Sequence, residues 1–164
     1  MKRQLFIIRH GKSSWESIVN DIDRPLTERG VNNSYEMALR LKKAGQIPQL
    51  IYSSPAARAL HTAVIMFKTW DLPDYNLHIS NQLYLPELND IEELIYEIPD
   101  EVSSAAIFGH NPGFTEFANR FLPSPLENLP TAGVAIIDLE LDSWTELFRG
   151  KITGTSVDFP KKGD

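Results

Sequence analysis

The chain has 164 residues and a mass of 18.6 kDa, so we expect one domain over residues 1–164 that buries its own core. A hydrophobic content of 42%, a charged content of 23% and the lack of cysteine exclude disordered, fibrous, disulfide-stapled and thiol-dependent classes. The net charge of −6 disfavours a nucleic-acid partner or an anionic membrane surface, so a bound anion would need a local cationic pocket.

The first predicted element is an apolar, β-rich run over residues 5–8 that stops at Arg9-His10-Gly11. The run is too short for a signal peptide or a membrane span, and we expect a cytoplasmic protein. Its composition is typical of a strand buried on both faces, and Gly11 marks its end. A cation and a titratable nucleophile therefore lie at the carboxyl end of a strand, where open α/β sheets bind ligands.

Helical and strand signals then alternate along the chain. A helix is predicted over residues 27–44 with Thr27 as N-cap, and Pro55 suits the first turn of a helix that ends near Lys68. The remaining predicted elements are strands at 49–52, 77–79 and 104–108 and helices at 90–97 and 114–121. This alternation indicates βαβ units and a largely parallel sheet.

The last third of the chain has a different pattern. Residues 135–141 and 146–151 are two β-rich segments separated by a short polar connection, which predicts a hairpin. At least one C-terminal strand should therefore run antiparallel to the others. Residues 160–164 are expected to form a polar tail.

Five candidate site residues follow successive predicted strands: Arg9, His10, Arg58, Glu87 and His110. The carboxyl ends of parallel strands meet at one edge of the sheet, so these side chains are expected to line one cleft. Guanidinium groups present planar, permanently charged forks that match phosphoryl oxygens. The pattern therefore predicts a discrete phosphate pocket.

Within that pocket, His10 is the candidate nucleophile, because a neutral imidazole attacks phosphorus and forms a phosphohistidine that water can hydrolyse. Arg9, Arg58 and His110 would hold the equatorial oxygens. Glu87 would protonate the leaving group and then activate water, provided that its surroundings raise its pKa.

Each of these residues taken alone favours a structural role, such as a strand-end or turn histidine, a surface arginine or a solvated glutamate. Their joint occurrence after successive strands favours catalysis. His61 and His78 lack such support and are expected to be non-catalytic. A metal site is disfavoured because the sequence has no His-Glu-x-x-His helix and the arginines would repel a cation. A nucleotide site is disfavoured because no glycine-rich cradle follows the first strand.

At these residues the chain resembles the histidine phosphatase superfamily, which includes the cofactor-dependent phosphoglycerate mutases. Within it, the chain is most similar to the short SixA-type phosphohistidine phosphatases. The matching motifs are Arg9-His10-Gly11, Arg24-Pro25-Leu26-Thr27 with Gly30, Ser54-Pro55 with Arg58 and Thr62, Leu85-Pro86-Glu87-Leu88, and Gly109-His110-Asn111-Pro112.

The resemblance implies a three-layer α/β/α sandwich and a covalent phosphohistidine on His10. It also implies phosphate contacts from Arg9, Arg58 and His110, with no metal or organic cofactor. In the SixA-type group the acid role of Glu87 is less settled, and Asp90 is a weaker substitute. A protonated imidazole leaving group would need such an acid less than an alkoxide would.

Two departures from the larger family members affect the predicted substrate. Lys12 stands where many members carry Glu, and the chain lacks the insertions that cap their clefts. An open site follows, which favours a phosphorylated protein histidine over mutase chemistry. Lys12 and Arg24 are candidate substrate contacts from their proximity in sequence. The alternatives are a small-molecule phosphomonoesterase and, from another class, a non-catalytic phosphate-recognition module.

Overall fold

The computed structural model describes residues 1–16 and 18–160. Within these residues, six strands and four α-helices alternate along most of the sequence. The strands are β1 (Lys2–Arg9), β2 (Leu50–Ser53), β3 (Leu77–Ile79), β4 (Ser104–Gly109), β5 (Val134–Glu140) and β6 (Lys151–Asp158). The helices are α1 (Glu28–Lys43), α2 (Ala57–Thr69), α3 (Leu88–Tyr96) and α4 (Gly113–Asn119).

All six strands form one sheet in the order β3-β2-β4-β1-β5-β6. The β1–β4, β2–β4 and β2–β3 pairs are parallel, whereas β5 runs antiparallel to both β1 and β6. The mixed sheet with an antiparallel C-terminal hairpin confirms the predicted fold class.

Alternate side chains of the strands point to opposite sides of the sheet, so both faces carry apolar residues and both are covered by helices. On one face, Phe6 and Ile8 of β1 pack in a cluster with residues of α1 and α2. On the other face, Leu5 and Ile7 pack with residues of α3 and α4. This division into two cores gives the three layers that the resemblance implied.

The predicted α1 is confirmed together with its cap, since the Thr27 side chain accepts a hydrogen bond from the Gly30 N–H. The start of α2 differs slightly from the prediction. Ala56 is its N-cap, so Pro55 lies just before the helix and not in its first turn.

The second strand of the predicted hairpin was placed wrongly. Residues 146–151 were expected to be extended, but a short 3-10 helix spans Trp144–Glu146 and the strand begins at Lys151. Trp144 and Leu147 are both buried, and the Trp144 indole N–H donates to the Val102 carbonyl at 2.8 Å. A helical turn buries these two side chains together, whereas the β-branched, polar residues that follow suit the exposed edge of the sheet.

The parallel β1–β4 pairing positions the site. Its register places Arg9 beside Gly109, so His10 and His110 leave neighbouring strands at the same edge of the sheet. Within the described residues, no helix is long and apolar enough to cross a membrane. Residues 161–164 of the expected polar tail lie outside the described residues.

Candidate active site

A pocket of about 270 Å³ lies at the carboxyl edge of β1 and β4. Its lining includes six of the seven residues proposed from the sequence, and Glu87 is the exception. The lining residues are Arg9, His10, Lys12, Ser13, Trp15, Asp21, Arg24, Arg58, Leu85, His110, Asn111 and Thr131.

The His10 side chain lines the pocket, and one of its ring nitrogens is hydrogen-bonded to the backbone. Its Nδ1 lies 2.6 Å from the Gly11 carbonyl oxygen, and because a carbonyl only accepts, Nδ1 carries the proton. Burial, which is the largest effect, and the charges of Arg9 and Arg58 outweigh the opposing Gly11 hydrogen bond and lower the pKa of His10 to about 4. At neutral pH the ring is therefore uncharged, with its free electron pair on Nε2.

His110 lies beside His10, with 5.2 Å between the ring centroids. Its Nε2 is 2.8 Å from the Ser54 hydroxyl oxygen, which also accepts a hydrogen bond from the Ala56 N–H. In the part of the chain that the structure describes, that hydroxyl has no other acceptor, so its proton points to His110 Nε2. Burial, followed by the effects of His10 and Arg58, lowers the pKa of His110 to about 3, and the neutral ring keeps its proton on Nδ1.

Three buried nitrogens in this pocket have no hydrogen-bond partner among the described residues: Arg9 Nε, Arg58 Nε and His110 Nδ1. Buried donors without partners cost free energy, and native proteins rarely tolerate several in one place. Three N–H groups, on three residues from separate segments that line one pocket, thus lack a protein acceptor among the described residues. Oxygens of a tetrahedral oxyanion match this set of donors.

Asp21 organises the cationic side of the pocket and was not singled out in the sequence. Its Oδ2 accepts from the Tyr84 hydroxyl at 2.6 Å and from Arg58 Nη2 at 3.0 Å, and its Oδ1 accepts from Arg24 Nε at 3.1 Å. These contacts, with the Tyr84 hydrogen bond as the largest effect, hold the pKa of the Asp21 carboxyl far below its usual range. The sequence signal for this contact was the acid–base pair Asp21 and Arg24 at a spacing of three residues.

Arg24 lies in the pocket wall and is fixed by several neighbours. Its Nη1 donates to the Ser13 hydroxyl at 2.8 Å and to the Ser14 carbonyl at 3.2 Å. Its guanidinium carbon stacks 3.5 Å from the centroid of the Trp15 ring. A planar cation–aromatic pair therefore lines the same pocket as Arg9, Arg58 and His110.

The two carboxylates considered as general acids lie elsewhere. Glu87 is exposed at the N-cap of α3, and its backbone N–H donates to Asp90 Oδ2 at 3.0 Å. That contact makes Asp90 a capping residue. The role of Glu87 remains a prediction, and Leu85 takes the place in the pocket lining that was expected for it. Lys12 lines the pocket as an exposed side chain.

The segment that carries His10 is packed closely on α1. A Cβ added at Gly11 would lie 2.7 Å from the Gly30 carbonyl oxygen and 2.9 Å from Ser34 Oγ, while a Cβ at Gly30 would overlap the Lys12 carbonyl. The Gly11 N–H also donates to Thr62 Oγ1 at 3.0 Å. The two glycines let the backbone after β1 lie directly on the helix, which fixes the position of His10.

Within the described ranges 1–16 and 18–160, no group of three or more histidine, aspartate and glutamate residues is arranged to hold a metal ion. The cationic lining suits an anion instead.

Comparison with protein families gives a match over residues 5–110 to the model of the histidine phosphatase superfamily (branch 1). A chloroplastic protein of Arabidopsis thaliana is 31% identical over 158 residues, which cover 90% of this chain and 72% of the relative. Curated 2,3-bisphosphoglycerate-dependent phosphoglycerate mutases also match, but the aligned segments cover only 27% to 47% of their length.

Solved structures show the same fold. A protein histidine phosphatase SixA complexed with tungstate has a TM-score of 0.75 and 25% identity, with 93% of this chain and 95% of that chain covered. A mycobacterial glucosyl-3-phosphoglycerate phosphatase has a TM-score of 0.72 and 17% identity, with 93% of this chain and 98% of that chain covered. These structural relatives therefore include enzymes that act on a protein and on a small molecule.

Proposed function

This chain belongs to the histidine phosphatase superfamily and is a phosphatase, and we propose that it removes phosphoryl groups from protein histidines through a covalent phosphohistidine on His10. The observation that carries the proposal is the contact between His10 Nδ1 and the Gly11 carbonyl at 2.6 Å. It fixes the tautomer that leaves Nε2 unprotonated, and the lowered pKa of His10 keeps the ring neutral at pH 7. A neutral, oriented imidazole is what nucleophilic attack on phosphorus requires.

In the first step, the Nε2 electron pair of His10 forms a bond to phosphorus while the bond between phosphorus and the substrate nitrogen breaks. The substrate imidazole, which already carries a proton on its other ring nitrogen, leaves as a neutral ring with the electron pair of the broken bond on the nitrogen that held phosphorus. In the second step, water attacks phosphorus, the bond to Nε2 breaks, and inorganic phosphate and neutral His10 are restored. Splitting the displacement in this way replaces one high barrier by two lower ones.

The three unpaired donors support the same proposal. Arg9 Nε, Arg58 Nε and His110 Nδ1 would each donate to an equatorial oxygen, where negative charge accumulates during transfer. Because the donors are already in place, little reorganisation is needed when that charge develops. Loss of one such donor typically lowers kcat by about 100- to 1,000-fold.

The state of the pocket carboxylate favours phosphohistidine over an alkyl phosphate as the substrate. Among the described residues that line the pocket, Asp21 is the one carboxylate, and its three hydrogen bonds keep it ionised. An alkoxide leaving group needs a proton donor, whereas a phosphorylated imidazole can leave already protonated. The pocket chemistry therefore suits a phosphoramidate bond better than an alkyl phosphate ester.

The test is phosphate release from a phosphohistidine-containing protein in the presence of a chelator. We expect turnover with the chelator, an acid-labile and base-stable phosphoryl label on the wild-type enzyme, and neither turnover nor label with His10→Ala. His61→Ala is the matched control, because that histidine lies on α2 and does not line the pocket. Label on serine, or activity that the chelator abolishes, would contradict the mechanism.

A small-molecule phosphomonoesterase is the second candidate. The exposed carboxylate of Glu87 favours it, since Glu87 lies two residues beyond Leu85 at the pocket mouth and would be the acid for an alkoxide. Faster turnover of alkyl phosphates than of phosphohistidine would support this candidate against the protein substrate.

A further inference from the structure

Two exposed apolar side chains border the phosphate donors, and the mechanism above uses neither of them. Trp15 is 77% exposed and Leu85 is 54% exposed, although both line the pocket. They come from separate loops, one after β1 and one before α3. Single exposed apolar side chains are normal on a protein surface, but two that line one polar pocket offer apolar area that a bound ligand can cover.

The Trp15 indole is held in place without being buried. Its ring stacks on the Arg24 guanidinium at 3.5 Å, and that guanidinium is itself fixed by Asp21, Ser13 and Ser14. The Arg24 guanidinium on which the indole stacks is therefore held in position. Because the tryptophan side chain is already ordered, a ligand that contacts it loses little conformational entropy on binding.

Leu85 is held at the pocket by a backbone conformation that is unusual for leucine. Its φ is +45°, in the left-handed region that favours glycine. Its neighbours fix this conformation, since the Tyr84 hydroxyl donates to Asp21 and Pro86 is buried. Strain of this kind persists at sites where the position of a side chain or loop matters.

We propose that Trp15 and Leu85 form a leaving-group subsite that accepts a planar unsaturated ring, such as the imidazole of phosphohistidine or an aryl group. The subsite lies in the same pocket as the donors that would hold the phosphoryl group. A ring attached to phosphorus would therefore contact the subsite while the donors hold the phosphoryl group. Aromatic rings gain attraction from an indole beyond the burial of their surface, whereas a short alkyl group does not. The proposal specifies the substrate class and rests on the proposed phosphatase function.

The test is binding of two non-hydrolysable ligands, phenylphosphonate and methylphosphonate, to the intact protein by titration calorimetry. We expect phenylphosphonate to bind about tenfold more tightly, and this preference to fall by about three- to tenfold in Trp15→Ala. Trp15→Phe should retain most of it. Tyr75→Ala is the matched control, because Tyr75 is 78% exposed at the opposite end of β3.

Leu85→Gly provides the second variant. Glycine tolerates the positive φ, so this change removes the side chain without adding backbone strain. It should reduce the phenylphosphonate preference while leaving methylphosphonate affinity within about twofold. Equal affinities for the two ligands in the wild type, or a preference that both variants retain, would overturn the subsite. Binding needs no turnover, so failure of the proposed phosphatase function would appear separately, as lack of phosphate release.

Discussion

Arg58 presents both terminal nitrogens of its guanidinium to Asp21, with Nη1 donating to the backbone carbonyl at 2.6 Å and Nη2 to the carboxylate at 3.0 Å. The arginine side chain is 3% exposed, so the ion pair lies mostly out of water on one side. One N–H of each terminal nitrogen is thus used, and the Nε N–H has no partner among the described residues. Asp21 therefore fixes the position of the Arg58 guanidinium, which we propose binds the phosphoryl group.

Asp21→Asn should therefore lower kcat/KM by about 10- to 100-fold, because loosening Arg58 by even 1 Å misplaces its donor. The amide retains an acceptor for Tyr84 but loses the charge that attracts both arginines. Steady-state kinetics and phosphate binding would measure the effect. Asp23→Asn, an exposed acid in the same turn, should leave both unchanged. An equal loss in the two variants would indicate a general effect of charge.

The two pocket histidines should titrate well below the usual range for histidine. Burial is the main reason, and it lowers the pKa of His10 to about 4 and that of His110 to about 3. NMR titration of the free protein would follow both rings, with assignment from His10→Asn and His110→Asn. Because attack needs neutral His10, protonation of the nucleophile should reduce activity only as the pH falls toward 4. A titration of His10 near 6.5 would contradict this account.

A bound oxyanion should change the pKa values of His10 and His110. A bound phosphate or tungstate ion places negative charge beside both rings and should raise the pKa of each. NMR titration of His10 and His110 with and without the oxyanion would measure the shift.

Glu87→Gln should separate the two candidate substrate classes. The carboxylate is exposed and absent from the pocket lining, so phosphohistidine turnover should change by less than about twofold. Turnover of an alkyl phosphate should fall further, since an alkoxide needs an acid to leave. Paired rates on the two substrates would measure this. An equal, large loss on both would show that Glu87 acts on phosphohistidine as well.

Gly11→Ala should lower both stability and activity. The new methyl group would meet the Gly30 carbonyl at 2.7 Å, and overpacking of this kind costs about 1–3 kcal/mol. Gly45→Ala is an informative control, because its site is open but its φ is +73°, so it should lose stability without loss of activity. Thermal unfolding and kinetics of both variants would test this. Retention of full activity by Gly11→Ala would show that His10 tolerates displacement.

The sequence predicted much of the fold because the elements carry strong local signals. The apolar run before Arg9 and the Thr27 cap identify β1 and α1 without tertiary information. The second hairpin strand was misplaced because the apolar residues around Trp144 suit either a strand or a helical turn. Burial against the core decides between them, and burial is a tertiary property.

The site was predictable where a residue directly follows a strand. His10 and His110 meet because β1 and β4 are parallel neighbours. The alternating pattern implied the parallel direction and the shared edge, but not that these two strands are neighbours. Asp21 was missed because it lies in a short 3-10 turn, Asp21–Asp23, that has no periodicity, and its partner Arg58 lies far along the chain on α2. Glu87 was expected beside the other residues, but a 3-10 turn at Asn81–Leu83 separates it from β3, and Glu87 caps α3 instead.

The pairing of β1 with β4 also means that the pocket lined by Arg9 and His110 forms only in the folded chain. The donors at residues 9 and 110 come together only after a large loop has closed, which is a slow event in chains with distant contacts. An oxyanion therefore has nothing to bind in a chain that lacks this pairing. It should retard unfolding while leaving the refolding rate unchanged, so that substrate itself prolongs the lifetime of the native enzyme.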